Sequence, residues 1–251
     1  MICLENIHVI FNSGTPLETH VLRGTHGKIE TGEFVTMIGG NGAGKSTLMN
    51  VLSGDVSPMR GRIFLDNIDV TKQSTEERSA LVSRVFQNPM EGTCPNLSIE
   101  ENMALAYRRG QKRGFQLALD SERRKLFKES VRELGLGLEH RMKDPIGALS
   151  GGQRQALSLL MAILQPAKIL LLDEHTAALD PKMAKIILAL TEKLVAQHQL
   201  TALMITHSMQ QALHVGTRTL LLHEGRVLKD IQGPERAQMS PADLHALFDD
   251  E

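Results

Sequence analysis

Gly39-Gly40-Asn41-Gly42-Ala43-Gly44-Lys45-Ser46-Thr47 fits the pattern G-x-x-x-x-G-K-[ST], and the rest of the chain is read from it. A loop that wraps a polyphosphate turns backbone N–H groups inward and lets the main chain come close, which glycine permits through its open φ range. Lys45 adds a point charge, and Ser46 a hydroxyl oxygen suited to a magnesium ion. Behind the loop, Lys45 to Gly54 is predicted as a helix whose N-terminal dipole faces the anion. Before it, Phe34-Val35-Thr36-Met37-Ile38 reads as a buried strand. Strand, glycine loop and helix in that order are the context the motif requires. A plain glycine turn in a βα unit would need neither Lys45 nor Ser46 at this spacing.

Upstream, Ile2–Phe11 and Val21–Ile29 are rich in β-branched and apolar residues and flank the turn Asn12-Ser13-Gly14-Thr15, which predicts an antiparallel pair. Downstream, Pro58 and Gly61 lead into a strand at Arg62–Asp66, a helix is expected near Thr75–Leu81, and Val82–Phe86 forms a strand stopped by Gln87-Asn88-Pro89. From Met90 to Leu149 there is no convincing strand. Two helical stretches, about Ile99–Arg109 and Ser121–Leu134, predict a helical subdomain. Its joint, Arg108-Arg109-Gly110-Gln111-Lys112-Arg113-Gly114, is basic and reads as an exposed loop with a solvated face, a docking patch for an acidic partner being the second reading. A helix from Gly151 to Leu164 follows, then Lys168-Ile169-Leu170-Leu171-Leu172-Asp173-Glu174. Its apolar run indicates a strand covered on both faces. Helix (Pro181–Ala196), strand (Thr201–Ile205), helix (Met209–His214) and strand (Thr217–Leu222) complete an alternation typical of a parallel sheet. A short amphipathic helix is expected at Pro241–Phe248.

At 251 residues the chain can bury a large core. A formal charge of -1 gives no broad basic footprint, so nucleic acid is not expected as a partner. Cys3 and Cys94 lie far apart without metal spacing and are read as reduced thiols. The start, Met1-Ile2-Cys3-Leu4-Glu5, lacks a basic segment followed by an apolar run, so no secretory signal is expected. No stretch approaches the ~20 apolar residues that span a bilayer.

Carboxylates at the end of a buried strand are the expected companions of a phosphate loop, because ligands of α/β sheets sit outside the carboxyl ends of strands. Asp173 and Glu174 occupy that place. Asp173 is assigned to magnesium, and Glu174 to orienting and deprotonating an attacking water. Leu149-Ser150-Gly151-Gly152-Gln153 opens the preceding helix. Ser150 is a natural N-cap, and the two glycines let N–H groups approach an anion. One chain folded around one nucleotide has no evident use for a second phosphate-binding end.

These motifs together resemble the ATP-binding cassette (ABC) ATPases, from about Ile2 to Ile231. Gly39 to Ser46 matches the family's Walker A loop, Leu149 to Gln153 its LSGGQ signature, and Ile169 to Glu174 looks like Walker B with the catalytic glutamate. Gln87 falls at the Q-loop, Asp180 at the D-loop, His207 at the switch histidine, and Phe11 where the family stacks an aromatic ring on adenine. The resemblance implies an α/β fold: a P-loop NTPase (RecA-like) core with a mainly parallel sheet, an antiparallel β subdomain and an inserted helical subdomain. It implies one nucleotide-binding domain over 1–251, with the core and its β subdomain at 1–87 and 150–232, the helical subdomain at 88–149 and a tail at 233–251. Phe11 and Gly39 to Thr47 would bind ATP. Glu174, His207 and Gln87 would be catalytic, and Ser46, Gln87 and Asp173 would hold Mg2+. Leu149, Ser150, Gly151, Gly152, Gln153 and Asp180 would meet the ATP of a partner subunit. Three departures from the usual wording are His175, where proline commonly follows Walker B, Ala178 before Leu179-Asp180, and Met161, where many members have an arginine.

The implied function is an ATPase subunit that dimerises, as a homodimer, over two ATP and drives a separate membrane permease importing a small solute, an amino acid or a sugar, supplied by a solute-binding protein. It would lie in the cytoplasm against the inner face of the membrane. Arg141 to Ala148 lacks the glutamate-rich element that resembles exporters. The rival readings are an exporter ATPase, a soluble non-transport ABC ATPase and an ordinary P-loop kinase, against which the signature speaks.

Overall fold

The computed structural model describes residues 1–111, 114 and 117–249. In chain order the elements are β1 (Ile2–Phe11), β2 (Thr19–Ile29), β3 (Phe34–Ile38), α1 (Lys45–Ser53), β4 (Arg60–Leu65), β5 (Ile68–Asp69), α2 (Thr75–Arg78) and β6 (Val82–Val85). Then come α3 (Ile99–Tyr107), α4 (Ser121–Arg132), 3₁₀ turns at Leu138–His140 and Ile146–Ala148, α5 (Gly151–Ile163), β7 (Ile169–Asp173) and α6 (Pro181–Gln197). Last are β8 (Thr201–Ile205), α7 (Met209–His214), β9 (Arg218–His223), β10 (Arg226–Gln232), α8 (Gly233–Gln238) and α9 (Pro241–Asp249).

The apolar runs behave as their composition dictates. β3 and β8 are buried at every position and β7 at all but Asp173, so these strands need cover on both faces. They lie in one sheet of order β10-β9-β3-β8-β7-β6, parallel except for β10. Alternation along β7 divides two cores. Leu171 joins Leu48, Met37 and Ile63 beneath the antiparallel sheet β2-β1-β4-β5, while Leu170 and Leu172 pack with Leu159, Leu194 and Met204 on the opposite face. A third cluster links α3 and α4 to α5 through Met103, Phe127, Val131 and Leu157.

The register sets the site. Met37 of β3 and Asp173 of β7 both pair with Ile205 of β8, so the phosphate loop, Asp173-Glu174 and Thr206-His207 leave the same sheet edge. The β9–β10 turn then ties this edge to the antiparallel sheet. Gly225 donates its N–H to Ala43 O (2.9 Å), and its carbonyl accepts from Arg23 N (3.1 Å) and Thr25 Oγ1 (2.6 Å). A Cβ at Gly225 would lie 2.0 Å from Val21 O, and its φ is +74°, so only glycine fits.

Several local expectations are corrected. The helix expected to reach Leu81 stops at Arg78, whose buried guanidinium turns back to cap the carbonyls of Val51 and Leu52 at the end of α1 and that of Val70. β5, β10 and α8 were not anticipated. β10 buries only Ile231 and presents charge on its other side, a pattern suited to an edge strand and weak as a sequence signal. Arg109 does not sit on a solvated face: it donates to Ala162 O and Gln165 O, both at 2.8 Å, tying the end of α3 to the end of α5. Lys112 and Arg113 of the basic joint lie outside the described residues.

Candidate active site

The loop between β3 and α1 is shaped by its glycines. A Cβ at Gly39 would sit 2.3 Å from Leu222 O, and Gly42 and Gly44 take φ of +79° and +101°. Gly40, Asn41 and Gly42 are exposed at the rim, whereas Ala43, Gly44 and Lys45 are buried; Ser46 is exposed and Thr47 half-buried. Gly44 is the N-cap of α1 and offers no side-chain cap, so no side chain of the cap residue competes for the helix's first N–H groups. Lys45 is only 6% exposed and donates from Nζ to Gly39 O (2.7 Å) and Gly40 O (3.0 Å). Burial lowers the Lys45 pKa, and the carboxylates of Glu174 and Asp173 act in the opposite sense. The cation is therefore held inside the loop, close to both acids.

Asp173 ends β7, and Glu174 follows with φ +45°, a left-handed turn for a residue that has a Cβ. Its Oε1 lies 2.7 Å from His207 Nε2, with Glu174 13% and His207 50% exposed. A carboxylate paired with an imidazole at this distance can accept a proton while its partner holds its orientation. Strain at Glu174 is kept by the anchors on either side. Glu174 N donates to Ile205 O, and the next residue, His175, is fully buried with Nε2 2.9 Å from Thr191 Oγ1 of α6. Burial pushes the His175 pKa down to about 4, so its ring is neutral at neutral pH, and Nδ1 has no hydrogen-bond partner.

Gln87 lies two residues past the end of β6 and is exposed. Phe11, at the end of β1, is 38% exposed, so its ring is not core. Asp180 carries a local task not weighed in the sequence: it is the N-cap of α6, its Oδ1 accepting from Lys182 N and Met183 N at 3.1 Å.

At the signature, Ser150 is the N-cap of α5. Gln153 N donates to Ser150 Oγ (3.3 Å) and Ser150 N to Gln153 Oε1 (3.2 Å), a complete capping box. The two glycines differ. Gly151 is exposed, and a Cβ there would meet only Leu179 Cδ2 at 3.9 Å. Gly152 is buried, and its missing side chain makes room for Met183 of α6, whose Cε lies 2.5 Å from where a Cβ would be. Leu149 is buried with the α3–α5 cluster. One contact beside Asp173 was missed in the sequence: Arg84 Nη2 lies 2.6 Å from Asp173 Oδ2.

This arrangement defines a P-loop ATPase. Residues 22–177 match the family described as ABC transporter. Over 88% of each chain, the protein is 41% identical to a "Tyrosine transport ATP-binding protein" of Clostridioides difficile. It is also 36% identical to the "Thiamine import ATP-binding protein ThiQ" of Yersinia pestis, over 84% of this chain and 83% of that one. Among solved structures it resembles the dimeric, post-hydrolysis ATP-binding cassette MJ0796 bound to ADP and Pi. The TM-score is 0.80 at 29% identity, covering 92% of this chain and 98% of that one. The chain belongs to the ABC transporter family and is an ATP hydrolase. Among the described residues no helix is long and apolar enough to cross a membrane.

Proposed function

We propose that this chain is the ATPase subunit of an importer for a small organic solute, of the amino-acid class, acting on a separate membrane permease from its cytoplasmic side. The observation that carries the catalytic reading is the Glu174–His207 pair at 2.7 Å, on the sheet edge that also bears Lys45. Lys45 and the N–H groups at the start of α1, which have no side-chain cap, hold the β- and γ-phosphates, and Phe11 supports the base. Glu174 orients the attacking water and takes its proton, while His207 holds the carboxylate and turns toward the γ-phosphate. The donor set of Ser46 hydroxyl, Asp173 carboxylate and Gln87 amide oxygen fits magnesium, a hard cation bound through oxygen. When bound, it neutralises charge on the transferring phosphate. Ser150, Gly151 and Asp180 serve the nucleotide of a second copy. The solute class rests on likeness to the tyrosine-transport relative, and the direction on the thiamine-import relative together with the missing glutamate-rich element.

The test is co-purification with an integral membrane protein, followed by uptake of radiolabelled tyrosine into vesicles containing that complex and ATP. A chain that hydrolyses ATP but is never retained by a membrane fraction overturns the transport reading. Transport of a sugar and not of an amino acid overturns the solute assignment.

A further inference from the structure

Arg84 of β6 is a cation that neither the loop motif nor the proposed hydrolysis uses. It is 12% exposed and converges on Asp173, which is 14% exposed, with Nη2 to Oδ2 at 2.6 Å. Its other terminal nitrogen, Nη1, donates to Asn50 Oδ1 of α1 at 2.7 Å and lies 3.3 Å from Asp55 Oδ2. Beneath it, the Phe86 ring centroid is 4.8 Å from Cζ. The planar fork is thus fixed by a ring on one side and by two oxygens at one end, and its other end is presented to Asp173. A purely structural ion pair would be an expensive choice here, because Nε is buried without a partner and a buried pair returns little net stability.

We infer that Arg84 is a positioning residue for the cation site: it clamps Oδ2 of Asp173 to the P-loop helix, leaving Oδ1 as the oxygen offered to a divalent cation. This rests on the proposed role of Asp173 in holding magnesium. A clamped carboxylate presents one donor in one orientation, so cation affinity depends on Arg84 while nucleotide affinity without metal does not. Lysine can supply the charge but not a fork that reaches Asn50 and Asp173 together.

The experiment measures Mn2+ binding by electron paramagnetic resonance in the presence of a non-hydrolysable ATP analogue. Nucleotide affinity in EDTA and thermal unfolding are followed in parallel. Arg84→Met is expected to weaken Mn2+ binding about tenfold, Arg84→Lys to recover only part of it, and metal-free nucleotide affinity to stay within about twofold for both. Asp173→Asn is the comparator. If Asp173→Asn removes Mn2+ binding and neither Arg84 variant changes it, the clamp is wrong and the metal role of Asp173 stands. If Asp173→Asn leaves Mn2+ binding intact, the reading of Asp173 itself falls. Should Arg84→Met fail to fold, Arg84→Lys decides: wild-type Mn2+ affinity there overturns the inference. Combining Arg84→Lys with Asp173→Asn is expected to weaken Mn2+ binding no further than Asp173→Asn alone.

Discussion

The helices α1 and α5 both begin at glycine-rich sequences, but their first turns are finished differently. α1 starts at Gly44 with no side-chain cap, beside the buried cation of Lys45. α5 starts at Ser150 with a full capping box, and its neighbour Gly151 faces solvent. The first helix leaves its first N–H groups without a side-chain cap, as the proposed phosphate contact requires. The second satisfies part of its own terminus and is stable without such a contact. Under the proposed function, the first end grips this chain's nucleotide and the second meets that of another copy, the division of labour of a site completed by dimerisation.

The sharpest attack on this contrast is at the acid. Glu174→Gln keeps the size and the contact with His207 but removes the base, so turnover is expected to fall about a hundred- to ten-thousandfold while ATP binding persists and a dimer accumulates. Phosphate release and gel filtration with ATP check this, and unimpaired hydrolysis would sink the assignment. Gly151→Asp tests the second end. The new side chain has room, since a Cβ at Gly151 meets only Leu179, so the fold and ATP affinity of the monomer are expected to be unchanged. A carboxylate placed against the incoming γ-phosphate is expected to lower turnover at least about tenfold through like-charge repulsion. Normal hydrolysis by that variant would mean that α5 does not face a nucleotide. Lys45→Ala tests the gripping end and is expected to weaken nucleotide binding about ten- to a hundredfold in a fluorescence titration, the worth of a charge-assisted hydrogen bond.

The smallest effect lies between the two ends, at His175. Its pKa is about 4 in the folded chain and near the ordinary 6.5 when unfolded, so below about pH 6.5 the unfolded chain binds more protons. Stability from this residue is present at neutral pH and is lost as pH falls from about 6.5 toward 4. Urea unfolding near pH 5 is expected to show about 2 kcal/mol less stability than at pH 7, a difference that His175→Gln reduces. An unchanged pH slope in that variant would show that the ring is not the group responsible.

The gripping end was legible in the sequence because its residues are contiguous and the strand before and helix after fix their placement. Asp173 and Glu174 were legible for the same reason: a run of apolar residues ending in two acids admits few placements. The Glu174–His207 pair was not, since it depends on β7 and β8 lying side by side in a particular register, and each histidine after a strand looks alike in one dimension. Arg84 escaped because its partner is 89 residues away and half-buried arginines leave no periodic mark. The space that Gly152 leaves for Met183 was not legible, because only the packing of α5 on α6 reveals it. Arg109 was read from composition as solvated because charge suggests water; the carbonyls at the end of α5 attract it more strongly than the loop's polarity implied.

Gly225 has a consequence for the length of the cleft. Its N–H donates to Ala43 O in the phosphate loop, and its carbonyl accepts from Arg23 N and Thr25 Oγ1 in β2. β2 in turn pairs with the end of β1, where Thr19 faces Phe11. The proposed base platform and the phosphate cradle are thus joined through one residue. A nucleotide bound as proposed would then span a distance set by the hydrogen bonds of this one glycine.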